Sequence, residues 1–169
     1  QVCFSWFAIY IPILLFSYEL FTWGEIGIII AIGILPYLVL EYPLGYIADR
    51  WLGEKEFLTV GFGIIALALF CMFLLHDASF WWWVGVMLLS RVGAAMVESM
   101  TEVHFFRHVT QVDTDAITAF RALRPLGSVV GPLIASVALI YLPLPATFVV
   151  FAAVMLLGIP AALSLVDTK

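Results

Sequence analysis

Apolar residues occupy six long runs of the chain, separated by short polar stretches. The runs cover residues 2–16, 24–47, 57–75, 80–106, 118–142 and 146–166. About twenty apolar residues cross the hydrocarbon core of a bilayer, and backbone groups inside lipid must bond to one another. The pattern therefore predicts an all-α membrane protein of about six transmembrane helices. We expect residues 1–169 to form a single transmembrane domain whose first helix is truncated.

Composition supports the same class. The chain is 64% hydrophobic and 11% charged, whereas an average soluble domain is about half apolar and about a quarter charged. No basic patch with surface aromatics occurs, so we expect a lipid bilayer and no nucleic acid as a partner. Cys3 and Cys71 lie inside apolar runs, and nothing in the sequence suggests a disulfide, a metal or a cofactor.

The positive charges lie on one side of the predicted bundle. Three connections, at residues 17–23, 76–79 and 143–145, contain no Lys or Arg. The opposite side carries Arg50, Lys55, Arg107, Arg121, Arg124 and Lys169. The positive-inside rule makes that side cytoplasmic, with both termini there and the protein in the plasma (inner) membrane. Trp81, Trp82 and Trp83 are then expected at the outer interface, with Trp51 and Tyr46 at the inner one.

The stretch LGYIADRWLGEKEFL, residues 44–58, puts five charges between two apolar runs. We interpret it as a tight cytoplasmic turn between the second and third helices. Gly45 is expected to allow close helix approach and Gly53 to permit the reversal. Glu54 and Glu56 are expected to open the next helix, where negative charge suits the helix dipole.

This turn resembles the signature loop of the major facilitator superfamily. That pattern has a Gly, three residues, an Asp, a basic residue, then a Gly and a basic pair. The matching positions are Gly45, Asp49, Arg50, Gly53 and Lys55. Leu52 is an extra residue, and Glu54 stands where the family usually has a basic residue.

The fifth run contains GSVVGP, which is similar to a segment of the family's fifth or eleventh helix. Gly127 and Gly131 would form a smooth packing face, and Pro132 removes one backbone hydrogen bond and can bend the helix. The family's transporters have two six-helix halves, each built from two inverted three-helix repeats. The resemblance implies that this chain is one half, with the C-terminal half favoured.

The same resemblance implies a secondary active transporter of small solutes that works by alternating access. The other half of the same polypeptide, or a second copy, would be its partner. We also expect the loop Asp49 to pair with Arg107 or Arg121 when the cytoplasmic side is closed. Two alternatives remain: a half-size protein that homodimerises or acts as a scaffold, and a membrane-embedded enzyme, for which the sequence offers no catalytic motif.

The fourth run carries charges at membrane depth. Arg91 lies near the predicted midplane, and Glu98 and Glu102 follow on the same helix face. Such charges are costly in lipid, so we expect partners on other helices or in the other half. They could form a substrate or proton pathway, with Glu98 the candidate for proton coupling, or ion pairs that lock helices together. Glu41 is similar, on one helix face with Gly45 and Asp49.

Other polar residues on the predicted cytoplasmic side have simpler interpretations. His104 and His108 are four residues apart, but no third ligand has a recognisable spacing, so we interpret them as interfacial. Arg121 and Arg124 are interpreted as topology signals that contact lipid headgroups.

Overall fold

The computed structural model describes residues 2–17, 21–50, 53–75, 79–109 and 113–165, and only the backbone of residues 41 and 48–50. These ranges fold into six α-helices and contain no strand. The helices are α1 (Val2–Ser17), α2 (Trp23–Arg50), α3 (Glu54–Leu74), α4 (Phe80–His108), α5 (Thr114–Tyr141) and α6 (Leu144–Leu163). The predicted all-helical class is confirmed.

Five of the described helices, α2 to α6, are long and apolar enough to cross a membrane, while α1 is shorter at 16 residues. Several helices extend past their apolar runs. α3 begins at Glu54 and α5 at Thr114, three and four residues before the runs that mark them. Hydropathy detects only the part of a helix inside hydrocarbon, so polar helix ends escape it. α5 continues through Pro125 and Pro132, which membrane helices tolerate.

The packing order has the symmetry of two three-helix repeats. α1 packs mainly on α5, α4 packs on α2, and α3 packs on α6. Exchanging α1–α3 with α4–α6 leaves these three pairings unchanged, as expected for a repeat architecture. The largest departure from this symmetry is that α3 packs along α4 whereas α1 meets α6 only narrowly.

Glycines stand at several close helix contacts, two of them on α3 and one between α2 and α4. A methyl group at Gly93 of α4 would lie 2.8 Å from the carbonyl oxygen of Gly61 in α3. At Gly158 of α6 it would lie 2.9 Å from the Phe62 ring. At Gly33 of α2 it would lie 2.8 Å from Met87 of α4. Small residues let membrane helices approach closely, and these positions allow it here.

The α1–α5 interface follows the GSVVGP segment. A methyl group at Gly131 would overlap the Ser5 hydroxyl and the backbone of Val2. Ser5 donates to the carbonyl of Gly127 at 3.3 Å. One turn further on, Tyr10 donates to the carbonyl of Pro132 at 3.4 Å. The glycine face of α5 therefore lies against α1.

Two local expectations, for Gly45 and Gly53, are wrong. No described atom lies within 4 Å of a methyl group placed on Gly45, so this glycine makes no close approach. Gly53 caps α3 with φ −74° and ψ 163°, an extended backbone open to any residue. Trp83 is 1% exposed and packs in the core, while Trp81 and Trp82 are exposed. Periodicity explains this difference, because consecutive residues of a helix point in different directions.

Candidate functional site

Three of the charged residues of α4 face one cavity of about 440 Å³. Arg91, Glu98 and Glu102 line it together with residues of α1, α3, α5 and α6. The remaining walls are mostly apolar and aromatic; they include Phe4, Phe7, Phe62, Phe120, Val154 and Met155. The cavity therefore lies between the two three-helix repeats of this chain.

Arg91 is buried at 8% exposure. Its guanidinium carbon lies 5.1 Å from the centre of the Phe4 ring and 5.0 Å from that of Phe7. Aromatic faces attract a cation at this distance. Among the described residues no carboxylate forms an ion pair with Arg91, and its Nε has no hydrogen-bond partner. The partner expected for this charge is thus a pair of rings and not an acid.

Tyr37 of α2 lies beside this arginine. Its ring centre is 5.3 Å from that of Phe4, one of the two rings that contact Arg91. Its hydroxyl oxygen is buried and has no hydrogen-bond partner among the described residues. Tyr37 also lines a second cavity of about 240 Å³, which shares Glu98 and Glu102 with the first. The sequence analysis missed this residue, since nothing in the pattern separates it from other tyrosines of the span.

Arg124 of α5 holds the two acids. Its Nη2 lies 3.2 Å from Oε1 of Glu98 and also pairs with Glu102. The partner of Glu98 therefore comes from another helix, as predicted. Assigning Arg124 to the lipid headgroups missed this pairing. Because α5 begins at Thr114, Arg124 lies about 15 Å along the helix.

Side chains link α4 to α5 at the end of the cavity that contains Glu98, Glu102 and Arg124. The rings of Phe105 and Phe120 are stacked with centres 4.0 Å apart and planes 10° apart. Arg124 lies one turn after Phe120 and reaches across to Glu98 and Glu102. The link thus combines an aromatic stack with an ion-pair cluster.

A second polar cluster joins the start of α3 to the end of α4. Glu54 is 2% exposed, and its carboxylate accepts a hydrogen bond from Arg107 at 2.5 Å. Its other oxygen lies 2.5 Å from Nδ1 of His104, whose ring packs on that of His108. His104 is thus engaged with a carboxylate, and the described residues hold no cluster of three metal-ligating side chains.

The remaining loop residues are placed as follows. Lys55 is half-buried in the first turn of α3, and Arg121 is exposed on α5. The side chains of Glu41, Asp49 and Arg50 lie outside the described residues, as do Trp51 and Leu52. The predicted pairing of Asp49 with Arg107 or Arg121 therefore stays a prediction.

Comparison with known families agrees with the helical pairing. A sequence model described as Major Facilitator Superfamily matches residues 2–169. The chain belongs to the major facilitator superfamily. None of the curated proteins searched matches it.

Membership in this superfamily indicates the class of protein to which the helix arrangement belongs. The superfamily is one of membrane transporters and not of enzymes. The six helices of this member pair as two repeats, and Arg91, Glu98, Glu102 and Arg124 line the cavity where the repeats meet.

Proposed function

We propose that this chain is one half of a secondary active transporter that moves a small solute by alternating access. The observation that supports this most is the shared cavity of Arg91, Glu98 and Glu102. Charges at membrane depth that face a cavity are typical of substrate and ion pathways. Transporters of this architecture work by rocking their repeats and halves around such a site.

The acidic pair is suited to proton coupling. Glu98 and Glu102 share one guanidinium, so the cluster carries an excess negative charge. One proton would neutralise that excess, and neutralisation favours burial in a low-dielectric site. Protonation of Glu98 would leave a single Arg124–Glu102 pair and weaken the link between α4 and α5.

The loop between α2 and α3 would act as the cytoplasmic gate of the transporter. Glu54 already holds the start of α3 to the end of α4 through Arg107 and His104. We propose that Asp49 adds a contact to Arg107 or Arg121 in the state closed to the cytoplasm. Both termini of the segment would then lie on the cytoplasmic side of the plasma membrane.

The other half of the polypeptide, or a second copy, would complete the pathway. α2 and α5 expose long apolar faces; the exposed side chains include Leu35, Leu38, Leu126, Val129, Leu133 and Val137. Lipid or a second half can cover such faces, and one half alone does not enclose a route across the membrane.

Proton flux in vesicles tests this proposal. The natural polypeptide that contains this chain would be reconstituted with a pH-sensitive dye inside, and solutes would be added one at a time. We expect at least one solute to produce protein-dependent proton movement, and Glu98→Gln to abolish it. Asp115→Asn, at an exposed position in the first turn of α5, is the control and should leave it unchanged. Flux that survives Glu98→Gln would contradict the coupling role.

A further inference from the structure

Most of the wall of the 440 Å³ cavity is apolar. Four phenylalanines line it, and aliphatic side chains of α3, α4, α5 and α6 complete the apolar lining. The volume lies within the range of about 300–1,000 Å³ that small-molecule pockets occupy. Apolar surface that a solute buries against such walls supplies most of its binding energy. A small solute with a mostly apolar body therefore fits this cavity.

The polar side chains at the end of the cavity towards α5 bond to partners on this chain. Arg124 holds the carboxylates of Glu98 and Glu102. The hydroxyl of Thr101 donates to the backbone carbonyl of Val97 at 2.6 Å. Because these groups satisfy one another, they need no charged group from a solute.

Arg91 is engaged with uncharged groups. The rings of Phe4 and Phe7 lie 5.1 and 5.0 Å from its guanidinium carbon, and aromatic faces attract a cation at this distance. The Tyr37 hydroxyl oxygen, on the side of the second cavity, can also accept from the guanidinium. The one donor of Arg91 that is buried without a described partner is Nε, and an uncharged acceptor oxygen can satisfy it.

The charges of the cavity balance as they stand. Arg91 and Arg124 carry two positive charges, and Glu98 and Glu102 carry two negative charges when both are ionised. A solute with a net charge would leave one charge uncompensated, which is costly in a site of low dielectric constant. An uncharged solute leaves the balance intact.

We propose that the 440 Å³ cavity binds an uncharged solute with a mostly apolar body. The proposal rests on the proposed function, since it names the substrate class of the same site. The body would lie against the phenylalanine and aliphatic walls, and one uncharged oxygen of the solute would accept from Nε of Arg91. The balance of charges selects against anions and cations, and the apolar walls select against strongly polar solutes.

Binding to the reconstituted protein tests the proposal without a gradient. The natural polypeptide that contains this chain would be placed in nanodiscs of zwitterionic lipid at pH 8, where carboxylates are ordinarily ionised. The probe would be radiolabelled 2-naphthylmethanol, with empty nanodiscs as the correction for partition into lipid. We expect saturable, protein-dependent binding, and weaker competition by 2-naphthoate, by 2-naphthylmethylammonium and by the zwitterion 2-naphthylalanine than by the unlabelled alcohol.

Two results of this experiment would overturn the proposal. The first is a charged or zwitterionic competitor that binds as tightly as the alcohol or more tightly. The second is the absence of protein-dependent binding, which is the result expected if a lipid acyl chain fills the cavity.

Charge variants test whether the balance sets the preference. Glu102→Gln leaves one excess positive charge and should improve the affinity of 2-naphthoate relative to the alcohol by about tenfold. Arg124→Gln leaves one excess negative charge and should do the same for 2-naphthylmethylammonium. The double variant is balanced again and should restore the preference for the alcohol. Unchanged preferences in both single variants would overturn the proposal.

Two valines of α6 test whether the probe lies in this cavity. Val154 lines it and is 42% exposed, whereas Val149 is 38% exposed and is not part of the lining. Val154→Trp places an indole where the solute body would lie and should weaken binding by about tenfold or more. Val149→Trp is the matched control and should leave binding unchanged. Equal losses in both variants, or no loss in Val154→Trp, would overturn the placement of the solute.

The outcomes distinguish this proposal from the proposed function. Selective binding of 2-naphthylmethanol without any solute-dependent proton flux would support the site and contradict the coupled transport mechanism. Proton flux with charged solutes and no binding of the alcohol would overturn the uncharged substrate class and leave the transport mechanism standing.

Discussion

At the residue scale, the buried and partly buried charges fall into three different environments. Arg91 sits between two aromatic rings, and Glu98 and Glu102 share one arginine of α5. Glu54, at the start of α3, is held by two residues of α4. The loss of any one of them should therefore have its own consequence.

Glu54 and the nearby Glu56 should respond to the same substitution in opposite ways. Glu54→Gln weakens two charge-assisted contacts of a buried carboxylate and should destabilise the protein by about 3 kcal/mol. Oε2 of Glu56 is buried and has no described partner, so Glu56→Gln should be neutral or stabilising. Thermal unfolding of both variants in one detergent is the measurement. Equal losses of stability in the two variants would mean that the contacts of Glu54 with Arg107 and His104 add no specific stability.

The Arg124 cluster should show measurable coupling. Arg124→Gln leaves two carboxylates facing each other, and adding Glu98→Gln removes one of them. We expect the double variant to be more stable than the sum of the single effects predicts, by about 1 kcal/mol. The value is modest because the Arg124 side chain is 47% exposed, and solvent screens such pairs. Strictly additive unfolding energies would show that the pair does not interact.

The sequence predicted which residues are unusual but not which atoms they meet. Arg91, Glu98 and Glu102 stand out because charge is costly in lipid, and their spacing puts them on one face. Arg124 and Tyr37 look ordinary in the sequence, since their importance depends on how α5 and α2 approach α4. Contacts between helices that are far apart in sequence leave no local pattern.

At the element scale, hydropathy predicts where the helices lie, and glycines allow the close contacts between them. The six apolar runs predicted six helices, and only the polar ends were missed. The close approach at Gly131 follows from a motif, whereas Gly61 and Gly93 stand in no recognisable motif. The turn glycines Gly45 and Gly53 were given packing and conformational roles that the structure does not support.

Two glycines of α4 should respond oppositely to a methyl group. Gly93→Ala would place its Cβ against the backbone of α3, and we expect a loss of about 1–3 kcal/mol. No described atom lies within 4 Å of such a group at Gly85, so Gly85→Ala should be neutral or stabilise by up to about 1 kcal/mol through helix propensity. Thermal unfolding of the two variants tests the α3–α4 contact. A Gly93→Ala protein as stable as Gly85→Ala would contradict it.

At the scale of the whole molecule, two repeats enclose a cavity because their packing is unequal. α3 lies along α4, while α1 and α6 touch only narrowly. The repeat pairing could be predicted from the family resemblance. The cavity could not, because it depends on this asymmetry and on bulky side chains from five helices.

Orientation in the membrane has a direct test. In a background with all native cysteines, Cys3 and Cys71 among them, replaced by alanine, Ser79→Cys and Asp115→Cys place thiols at the starts of α4 and α5. The positive-inside rule predicts labelling of position 79 only from outside and of position 115 only from the cytoplasm. The measurement is the labelling of each thiol by a membrane-impermeant maleimide, applied to intact cells and to opened cells. Labelling of both from one side would contradict the predicted topology.

The most direct test of alternating access is the reactivity of one cavity residue from both sides of the membrane. Thr101 lines the cavity on α4, and Thr101→Cys in the same background would report its opening. We predict that an impermeant maleimide reacts from one side at rest and from the other after a proton gradient is imposed, while Asp115→Cys reacts from the cytoplasm throughout. Reaction from a single side at an unchanged rate under both conditions would contradict alternating access through this cavity.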